Sequence, residues 1–240
     1  MSNLILIRHG QSVWNLQNRF TGWYDVALSD NGLLEANKAG VLLKKLHIKI
    51  EFAYTSYLRR AIQTLEIILN VIKDQYIDPV KAWELNERHY GNLTGLIKNE
   101  MKKKLGEEQV KILRRSWDIA PPELGLEDEF NPRLDEVYKS LNPKDIPNTE
   151  SLKDTYDRVI PYFEKNIKPK IFDNKNVLVV AHGNSLRALC KKLFDISDKK
   201  ISELEIPTGN PLFINIDSEF NILDSYYLDE SRGQKLLINE

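Results

Sequence analysis

Hydrophobic positions along the chain follow two alternating patterns. Short continuous apolar runs, which are typical of buried strands, lie at residues 4–7, 52–55 and 176–181. Runs whose apolar residues are three and four positions apart, which are typical of amphipathic helices, lie at residues 30–46, 58–72, 152–167 and 186–194. Two further apolar stretches flank a polar turn and predict a hairpin over residues 212–216 and 222–228. Because strands and helices alternate, we expect an α/β fold: a single domain with a mixed, mainly parallel sheet and helices on both faces.

Individual serines and prolines predict where these elements begin and break. Ser29 and Ser56 precede the first two helical runs, and each is a candidate N-cap. Pro161 lies inside the third helical run and predicts that this helix bends or divides. Residues 80–83 follow Pro79 and predict a short strand at a sheet edge, since proline cannot donate to a neighbouring strand.

Residues 116–150 show no clear periodicity of hydrophobic positions. This segment holds five of the ten prolines and a cluster of acidic residues at positions 127–129. A long irregular segment inside one domain is more often functional than a linker, so we expect a flap here. We also expect one domain over residues 1–240, with a mobile C-terminal tail that begins at about residue 229.

Composition and charge narrow the classes of protein. The 240 residues include 34 Lys and Arg against 35 Asp and Glu, a net charge of -1 that gives no basic field for nucleic acid. The N-terminus lacks a basic region followed by an apolar stretch, so we expect no signal peptide, and no apolar run approaches the ~20 residues of a membrane span. Cys190 is the only cysteine in the sequence, which excludes an intrachain disulfide. We therefore expect a cytoplasmic protein whose partners are neither nucleic acid nor membrane.

Two histidines occupy matching positions at the ends of predicted strands. His9 and His182 each come after an apolar run, and each is followed directly by a glycine. In an open α/β sheet the carboxyl ends of the strands form the edge where ligands bind, so the two imidazoles can meet in space. The glycines let a ligand approach the backbone closely. After Gly183, residues 184–185 begin a helix whose free N–H groups suit an anion.

Two alternatives stay open for histidines in such positions. A single histidine after a strand is usually a hydrogen-bonded residue at the sheet edge, and this describes His47 and, taken alone, His89. Metal binding is the other alternative, since Glu87 or His89 could join His9 and His182 around zinc. The chain lacks a closely spaced histidine pair or any cysteine pair, and cations that repel a metal ion lie next to these histidines. The repeated strand–histidine–glycine pattern therefore favours a site of another kind.

Arginines near these histidines indicate an anionic ligand. An arginine is most often a solvated surface charge, and this remains an alternative for Arg59, Arg60, Arg88, Arg114 and Arg115. Arg8 is different, because it follows a buried run and would lie at the sheet edge. Arginine forks match phosphate and carboxylate geometry, so a pocket that gathers several of them favours a compact, multiply charged anion. A neutral imidazole can attack phosphorus, arginines can stabilise the transferring oxygens without a metal, and a carboxyl group such as Glu87 can move the proton.

Seven stretches of the chain together resemble one known family. They are residues 6–15 (Leu-Ile-Arg-His-Gly-Gln-Ser-Val-Trp-Asn), 20–23 (Phe-Thr-Gly-Trp), 54–61, 85–91 (Leu-Asn-Glu-Arg-His-Tyr-Gly), 114–115, 181–187 and 206–209. This set closely resembles the signature of the cofactor-dependent phosphoglycerate mutases, which belong to the histidine phosphatase superfamily. The Arg-His-Gly piece alone marks only the superfamily, whereas residues 87–90, 21–22 and 114–115 are more specific to the mutases.

The resemblance implies a role for each matched residue. His9 would be the phosphorylated nucleophile, His182 would stabilise the transferring phosphoryl group, and Glu87 would donate and accept the proton. The phosphoryl group would be held beside the nucleophile by Arg8, Arg60 and Asn15. The substrate pocket would be lined by Ser12, Thr21, Gly22, Arg88, His89, Tyr90, Lys98, Arg114, Arg115, Gly183 and Asn184.

The resemblance also implies an activity. Members of this family interconvert 2-phosphoglycerate and 3-phosphoglycerate in glycolysis and gluconeogenesis; they need 2,3-bisphosphoglycerate to prime the histidine and use no metal. Known members are commonly dimers or tetramers, so we expect a homo-oligomer. Three alternatives remain: a phosphatase on the same scaffold, a bisphosphoglycerate synthase, and a non-catalytic protein that binds a phosphate ligand or a partner.

The chain departs from the family pattern at three places. Gln11 stands where these mutases usually have glutamate, which removes a negative charge near the expected phosphate. Residues 130–135 replace the usual stretch that contains Pro-Gly-His. The tail after residue 228 is shorter than a typical mutase tail, which is thought to shield the site from water. These departures bear on the balance between mutase and phosphatase activity.

Overall fold

The strands form one six-stranded sheet in the computed structural model, which describes residues 1–73 and 77–236. In chain order, β1 to β6 are Ser2–Arg8, Phe52–Thr55, Val80–Lys81, Val177–Ala181, Leu212–Ile216 and Ile222–Tyr227. Their order across the sheet is β3-β2-β4-β1-β5-β6, with parallel pairing from β3 to β1 and antiparallel pairing from β1 to β6. The predicted mixed, mainly parallel sheet is therefore confirmed, as are the edge strand at β3 and the hairpin of β5 and β6.

Helices connect the parallel strands. In chain order, α1 to α8 are Val13–Leu16, Asp30–Lys44, Arg59–Val71, Lys98–Leu105, Glu107–Arg115, Leu152–Tyr162, Lys168–Phe172 and Gly183–Leu193. Single 3-10 turns lie at Trp83–Leu85, Gly91–Leu93, Pro132–Leu134, Glu136–Tyr138, Pro143–Asp145, Ile201–Glu203 and Glu230–Arg232. In the described part of the chain, none of the helices has the length and apolar character of a membrane span.

Alternate side chains of the central strands pack against opposite helical layers. Leu4 and Leu6 of β1 join the cluster that contains residues of α6 and α8. Ile5 and Ile7 of the same strand join the cluster that contains residues of α2 and α3. All four are at most 2% exposed, and burial of each such side chain contributes about 1.5–3 kcal/mol. The sheet is thus covered on both faces, as predicted.

The two predicted helix caps have different outcomes. Ser29 caps α2 as predicted, since its hydroxyl accepts a hydrogen bond from the Gly32 N–H at 3.2 Å. The prediction that Ser56 caps α3 is wrong, because that helix begins at Arg59 and its N-cap position is occupied by Leu58. The Ser56 hydroxyl is engaged elsewhere, in a contact described below.

The helix that contains Pro161 divides as predicted. It runs as α6 through the proline to Tyr162, continues as one π-helical turn over Phe163–Ile167, and resumes as α7. Pro161 cannot donate a backbone hydrogen bond, and neither can Pro169, which lies at the start of α7. The wider π turn between the two prolines accommodates the change in hydrogen-bond pattern.

The irregular segment 116–150 packs beside the loop that follows β3. Tyr138 is 1% exposed; its ring centroid lies 5.0 Å from that of Trp23, and its hydroxyl accepts a hydrogen bond from Asn86 Nδ2 at 3.0 Å. These contacts fix a segment that has no periodic pattern of its own. Its role as a flap stays a prediction.

The start of the predicted tail is tied to the body of the protein. Asp229 Oδ2 lies 2.6 Å from Lys38 Nζ and 2.8 Å from Arg232 Nε. Residues 237–240 of the predicted tail lie outside the described residues. The mobility of the tail stays a prediction.

Two glycines let the loop after β1 touch the first turn of α2. A Cβ atom placed on Gly32 would lie 2.0 Å from the carbonyl oxygen of Gln11, and one placed on Gly10 would lie 2.3 Å from the carbonyl oxygen of Gly32. No side chain fits at such distances. The backbone that follows His9 is therefore held directly against a helix.

Candidate active site

The sheet topology brings the two strand-ending histidines together. β1 and β4 are parallel neighbours in which Arg8 pairs with Ala181, so His9 and His182 are the next residues on each strand. The His9 N–H donates to the Ala181 carbonyl at 3.0 Å, and the two imidazole centroids are 4.9 Å apart. Both side chains are buried, at 2% and 0% exposure. The predicted meeting of the imidazoles is thus present in the structure.

Both imidazoles are neutral near pH 7. Burial, reinforced by the positive charges of Arg60 and Arg8, lowers the pKa of His9 well below its usual value of 6.5. Burial and the charge of Arg60 likewise hold the pKa of His182 well below 6.5. The Nδ1 atom of His9 lies 2.7 Å from the Gly10 carbonyl oxygen, which only accepts hydrogen bonds, so Nδ1 carries the proton. The Nε2 atom of His9 then has a free lone pair, as a nucleophile requires.

A cationic cavity of about 230 Å3 lies over His9. Among the described residues, its lining consists of Arg8, His9, Asn15, Arg19, Thr21, Gly22, Arg60, Glu87, Tyr90, Lys98, Arg114, Arg115, Gly183, Asn184, Arg187 and Glu205. Seven of these residues are arginine or lysine, and two are glutamate. A small cavity with such an excess of positive charge suits a compact ligand with several negative charges.

Unpaired polar atoms in and below the cavity also point to an anion. Four residues of the cavity lining each have a buried donor with no hydrogen-bond partner among the described residues: Arg8 Nε, Thr21 Oγ1, Arg114 Nε and Arg115 Nη1. A buried donor without a partner costs about 1–3 kcal/mol. Phosphate or carboxylate oxygens bound in the cavity would satisfy these donors, so the residues present fit a phosphorylated acid.

Arg60 is built into the cavity wall by backbone carbonyls. Its Nη2 donates to the Gly22 carbonyl at 2.8 Å and its Nη1 to the Tyr24 carbonyl at 3.1 Å. Burial lowers the pKa of Arg60 to about 10, so the guanidinium remains charged at neutral pH. Arg59, one residue earlier on α3, instead faces solvent, where its Nε lies 3.5 Å from Asp25 Oδ2. Neighbouring residues on a helix differ by about 100° in direction, which explains why only one of the two reaches the cavity.

We expect Arg60→Ala to slow phosphorylation of His9 by about 10²–10³-fold, the usual effect of removing one donor that stabilises transition-state charge. Arg59→Ala is the matched control and should change that rate by less than about twofold, because an exposed ion pair contributes little. Rapid-quench measurement of phosphoryl uptake compares the two variants. Equal rates for both would contradict the placement of Arg60.

Glu87 contacts the start of α8 from across the cavity. Its Oε1 accepts hydrogen bonds from the backbone N–H of Arg88 at 2.8 Å and of Asn184 at 3.1 Å. The expectation of a free N–H at residue 184 is therefore wrong, since the Glu87 carboxylate accepts its hydrogen bond. The same contact fixes the carboxylate beside Gly183, in the cavity wall.

A buried ion pair holds the segment that carries Glu87. Arg158 Nε lies 2.6 Å from Glu150 Oε1, and the same guanidinium donates to the carbonyl oxygens of residues 84, 86 and 87 at 2.6–3.1 Å. Glu150 Oε2 accepts the backbone N–H of His89 at 2.7 Å. This pair was not found from the sequence, because neither residue lies in a matched motif.

Thirteen of the seventeen residues predicted for the site line the cavity, and Ser12, Arg88, His89 and His182 do not. Ser12 caps α1, where its hydroxyl accepts the Asn15 N–H at 3.1 Å. Arg88 lies beside the Tyr90 ring and donates to the Leu113 carbonyl. His89 packs its ring near Trp23. His182 is not part of the cavity lining, and its ring centroid lies 4.9 Å from that of His9.

Three lining residues were missed from the sequence: Arg19, Arg187 and Glu205. Arg187 is 5% exposed, and its Nη1 donates to Asn184 Oδ1 at 2.5 Å. Its position four residues after Gly183 places it on the same face of α8, and that spacing is the signal that could have found it. Glu205 pairs with Arg115 across the cavity mouth, at 2.5 Å from Oε1 to Nη2.

Gln11, the departure nearest the nucleophile, points away from the cavity. Its Oε1 accepts a hydrogen bond from the Ser29 hydroxyl at 2.9 Å, and its backbone N–H donates to Glu35 Oε2 at 2.7 Å. The side chain thus joins the loop after β1 to the start of α2. Having glutamine instead of glutamate at position 11 therefore affects the contact between this loop and α2. Gln11 is not among the residues that line the cavity.

Metal binding was the alternative role for the two histidines. Among the residues that the structure describes, no three His, Cys, Asp or Glu side chains are placed to share a metal ion. His89, a proposed fourth ligand, uses Nδ1 to accept the Gly91 N–H at 3.0 Å.

Acid destabilises the fold through these buried histidines. Burial lowers the pKa of His89 to about 3, and His9 and His182 are also shifted downwards. Below about pH 6.5 the unfolded chain takes up protons that the folded protein does not, so stability falls as pH falls. Urea unfolding between about pH 7 and pH 5 measures this loss. An unfolding free energy that stays constant over that range would contradict it.

Comparison with known proteins places the chain in a family. The model of the histidine phosphatase superfamily (branch 1) matches residues 4–144 and 125–227. A 2,3-bisphosphoglycerate-dependent phosphoglycerate mutase of Pelagibacter ubique is 54% identical over 238 residues, which cover 99% of this chain and 100% of that protein. A mutase of the same name from Hamiltonella defensa is 50% identical and covers 95% of this chain and 92% of its own length.

Solved structures share the fold at much lower identity. Mycobacterial hydrolase 1 has a TM-score of 0.70 at 19% identity and covers 97% of each chain. A mycobacterial glucosyl-3-phosphoglycerate phosphatase has a TM-score of 0.69 at 20% identity and covers 94% of this chain and 96% of its own. Because the family model spans most of the chain and about half of its residues match these mutases over nearly the full length, the chain belongs to the 2,3-bisphosphoglycerate-dependent phosphoglycerate mutase family of the histidine phosphatase superfamily.

Proposed function

We propose that this enzyme interconverts 2-phosphoglycerate and 3-phosphoglycerate by way of a phosphoryl group carried on His9. One observation carries the proposal: the neutral His9 ring, with Nδ1 against the Gly10 carbonyl, presents a lone pair on Nε2 below a cationic cavity. The names of relatives that share about half of its residues support the choice of substrate.

The cavity fits 2,3-bisphosphoglycerate as the primer. Its seven cationic side chains and its unpaired donors suit two phosphates and a carboxylate. When bound, the primer supplies the phosphoryl group that charges His9. Arg8 and Arg60 would hold that group beside the ring, since their positive charges are the ones that lower the pKa of His9.

Each transfer exchanges one bond to phosphorus. The Nε2 lone pair of His9 forms an N–P bond as the bond from phosphorus to the substrate oxygen breaks, and Glu87 as a carboxylic acid gives that oxygen a proton. In the reverse direction the Glu87 carboxylate takes the proton of the attacking hydroxyl, and the N–P bond breaks. Arg8 and Arg60 stabilise the charge on the transferring oxygens throughout.

The far end of the cavity would bind the carboxylate end of the substrate. Arg114 and Arg115 each have a buried nitrogen without a partner among the described residues. Lys98 lies in the same wall, and burial together with the charge of Arg114 lowers its pKa to about 8. These side chains hold the substrate so that either of its two oxygens can reach phospho-His9.

A coupled assay tests the proposed reaction. It measures conversion of 3-phosphoglycerate to 2-phosphoglycerate with and without 2,3-bisphosphoglycerate, and again with EDTA. We expect activity that requires the primer and survives the chelator. Hydrolysis of simple phosphomonoesters at a comparable rate with no primer requirement would instead identify a phosphatase, and inhibition by EDTA that zinc or magnesium reverses would identify a metal enzyme.

We also propose that the enzyme acts in the cytoplasm as a homo-oligomer, as its family resemblance implies. Among the described residues, the short strand β3 is at the edge of the sheet and Val80 is 43% exposed, which supports contact with a second copy there. Light scattering after size-exclusion chromatography measures the mass in solution. A monomer at micromolar concentration would contradict the proposal.

A further inference from the structure

The hydroxyl of Ser56 contacts the second histidine of the site. Ser56 follows β2 directly, and β2 is the neighbour of β4, which His182 follows directly. The Ser56 Oγ atom lies 2.7 Å from His182 Nε2, and both side chains are completely buried.

The hydrogen bonds of Ser56 fix the direction of this contact. The Leu58 N–H donates to Ser56 Oγ at 3.1 Å, so the serine oxygen already acts as an acceptor. Among the described residues, His182 Nε2 is the only acceptor within hydrogen-bond distance of the serine hydroxyl. If Nε2 carried a proton, the serine proton would be buried without an acceptor, at a cost of about 1–3 kcal/mol. The serine therefore donates to Nε2.

The other ring nitrogen of His182 must then carry the proton. A neutral imidazole has one N–H, and an Nε2 that accepts leaves it on Nδ1. Within residues 1–73 and 77–236, His182 Nδ1 is buried and has no hydrogen-bond partner. It belongs to a ring whose centroid is 4.9 Å from that of His9. His182 therefore has an unpaired donor in the ring that neighbours the His9 ring.

We propose that Ser56 is a positioning residue that holds His182 as the Nδ1–H tautomer, so that this N–H donates to an oxygen of the phosphoryl group transferred at His9. This inference rests on the proposed function for its catalytic consequence. With the opposite tautomer, the Nδ1 lone pair would face a phosphoryl oxygen and repel it. The two histidines thus carry the proton on the same ring atom but use it differently: His9 ties its Nδ1–H to Gly10, and His182 offers its own to the substrate.

Histidine NMR of the free enzyme tests the tautomer without any substrate. The chain has four histidines, so protein labelled with 15N-histidine gives few ring signals. We expect His182 in the parent enzyme to show a protonated Nδ1 and an unprotonated Nε2. In Ser56→Ala we expect a mixture of both tautomers, because the donor to Nε2 is gone. Because no turnover is needed, this result is independent of whether the proposed reaction is correct.

Kinetics and two further variants complete the test. We expect Ser56→Ala to lower kcat by about 10–100-fold with little change in KM, less than the 10²–10³-fold loss for a deleted donor. Ser56→Thr keeps the hydroxyl and should restore both the tautomer and kcat. Ser185→Ala is the matched control: it removes the 3.1 Å hydrogen bond to the His182 backbone N–H and leaves the Ser56 contact in place. It should leave the tautomer unchanged.

Three results would overturn the proposal. One is a parent enzyme in which His182 Nε2 carries the proton. Another is a folded Ser56→Ala protein that retains the single Nδ1–H form. The third is a Ser56→Ala enzyme whose tautomer shifts while its kcat stays at the parent value, since the proton position would then not matter for catalysis.

Discussion

His9→Ala is expected to take up no phosphoryl group from 2,3-bisphosphoglycerate and to lose mutase activity by at least about 10⁴-fold, as when a catalytic nucleophile is removed. The physical reason is that Nε2 of His9 has a free lone pair and this residue lines the cavity, whereas Nε2 of His182 is hydrogen-bonded to Ser56. Intact-mass spectrometry after incubation with the primer measures the added group. Its bond should be labile in acid and stable in base.

The control for this variant is His47→Asn, on the surface. His47 has a positive φ of 53°, a conformation that asparagine tolerates, so the change should neither strain the backbone nor alter uptake. Equal phosphoryl uptake by His9→Ala and the parent enzyme would identify another residue as the nucleophile.

The second large effect is expected from Glu87→Gln, with a fall in kcat of about 10²–10⁴-fold, the usual range for lost acid–base catalysis. Glutamine preserves the size of the side chain and an oxygen that can accept from the Arg88 and Asn184 N–H groups. It cannot carry a proton between the two substrate oxygens. The fold should therefore survive while the isomerisation step fails.

Glu205→Gln is the matched control, because Glu205 is the other glutamate of the cavity lining. Its carboxylate pairs with Arg115, so its loss should alter KM rather than kcat. Steady-state kinetics of both variants at several pH values separates the roles. Near-normal kcat in a folded Glu87→Gln enzyme would show that another group or water moves the proton.

Local pattern was sufficient to predict the frame of the site. Buried parallel strands have continuous apolar runs, so a histidine directly after such a run lies at the end of the sheet. His9 and His182 could therefore be predicted to meet, although 173 positions separate them. The sequence did not predict that β1 and β4 are adjacent strands, and the structure shows that they are.

Residues that act through the tertiary structure could not be predicted in this way. Arg158 and Glu150 position Glu87 from a helix and a loop distant in sequence, so no local spacing marks them. Ser56 was predicted as a helix cap, a role that serines often fill, but the helix begins three residues later at Arg59, and the serine hydroxyl contacts His182. In the segment 116–150, buried contacts such as that of Tyr138 with Trp23 replace periodicity and leave no trace in the sequence pattern.

The close approach of Gly32 to the loop after β1 limits which mutations the gene can tolerate at this codon. Every missense change at a glycine codon adds at least a Cβ atom, and at position 32 that atom would lie 2.0 Å from the Gln11 carbonyl oxygen. The loop that follows the nucleophile would have to shift with any substitution. Codon 32 encodes no side chain that lines the cavity, yet we expect a loss-of-function screen to recover alleles there as well as at codon 9.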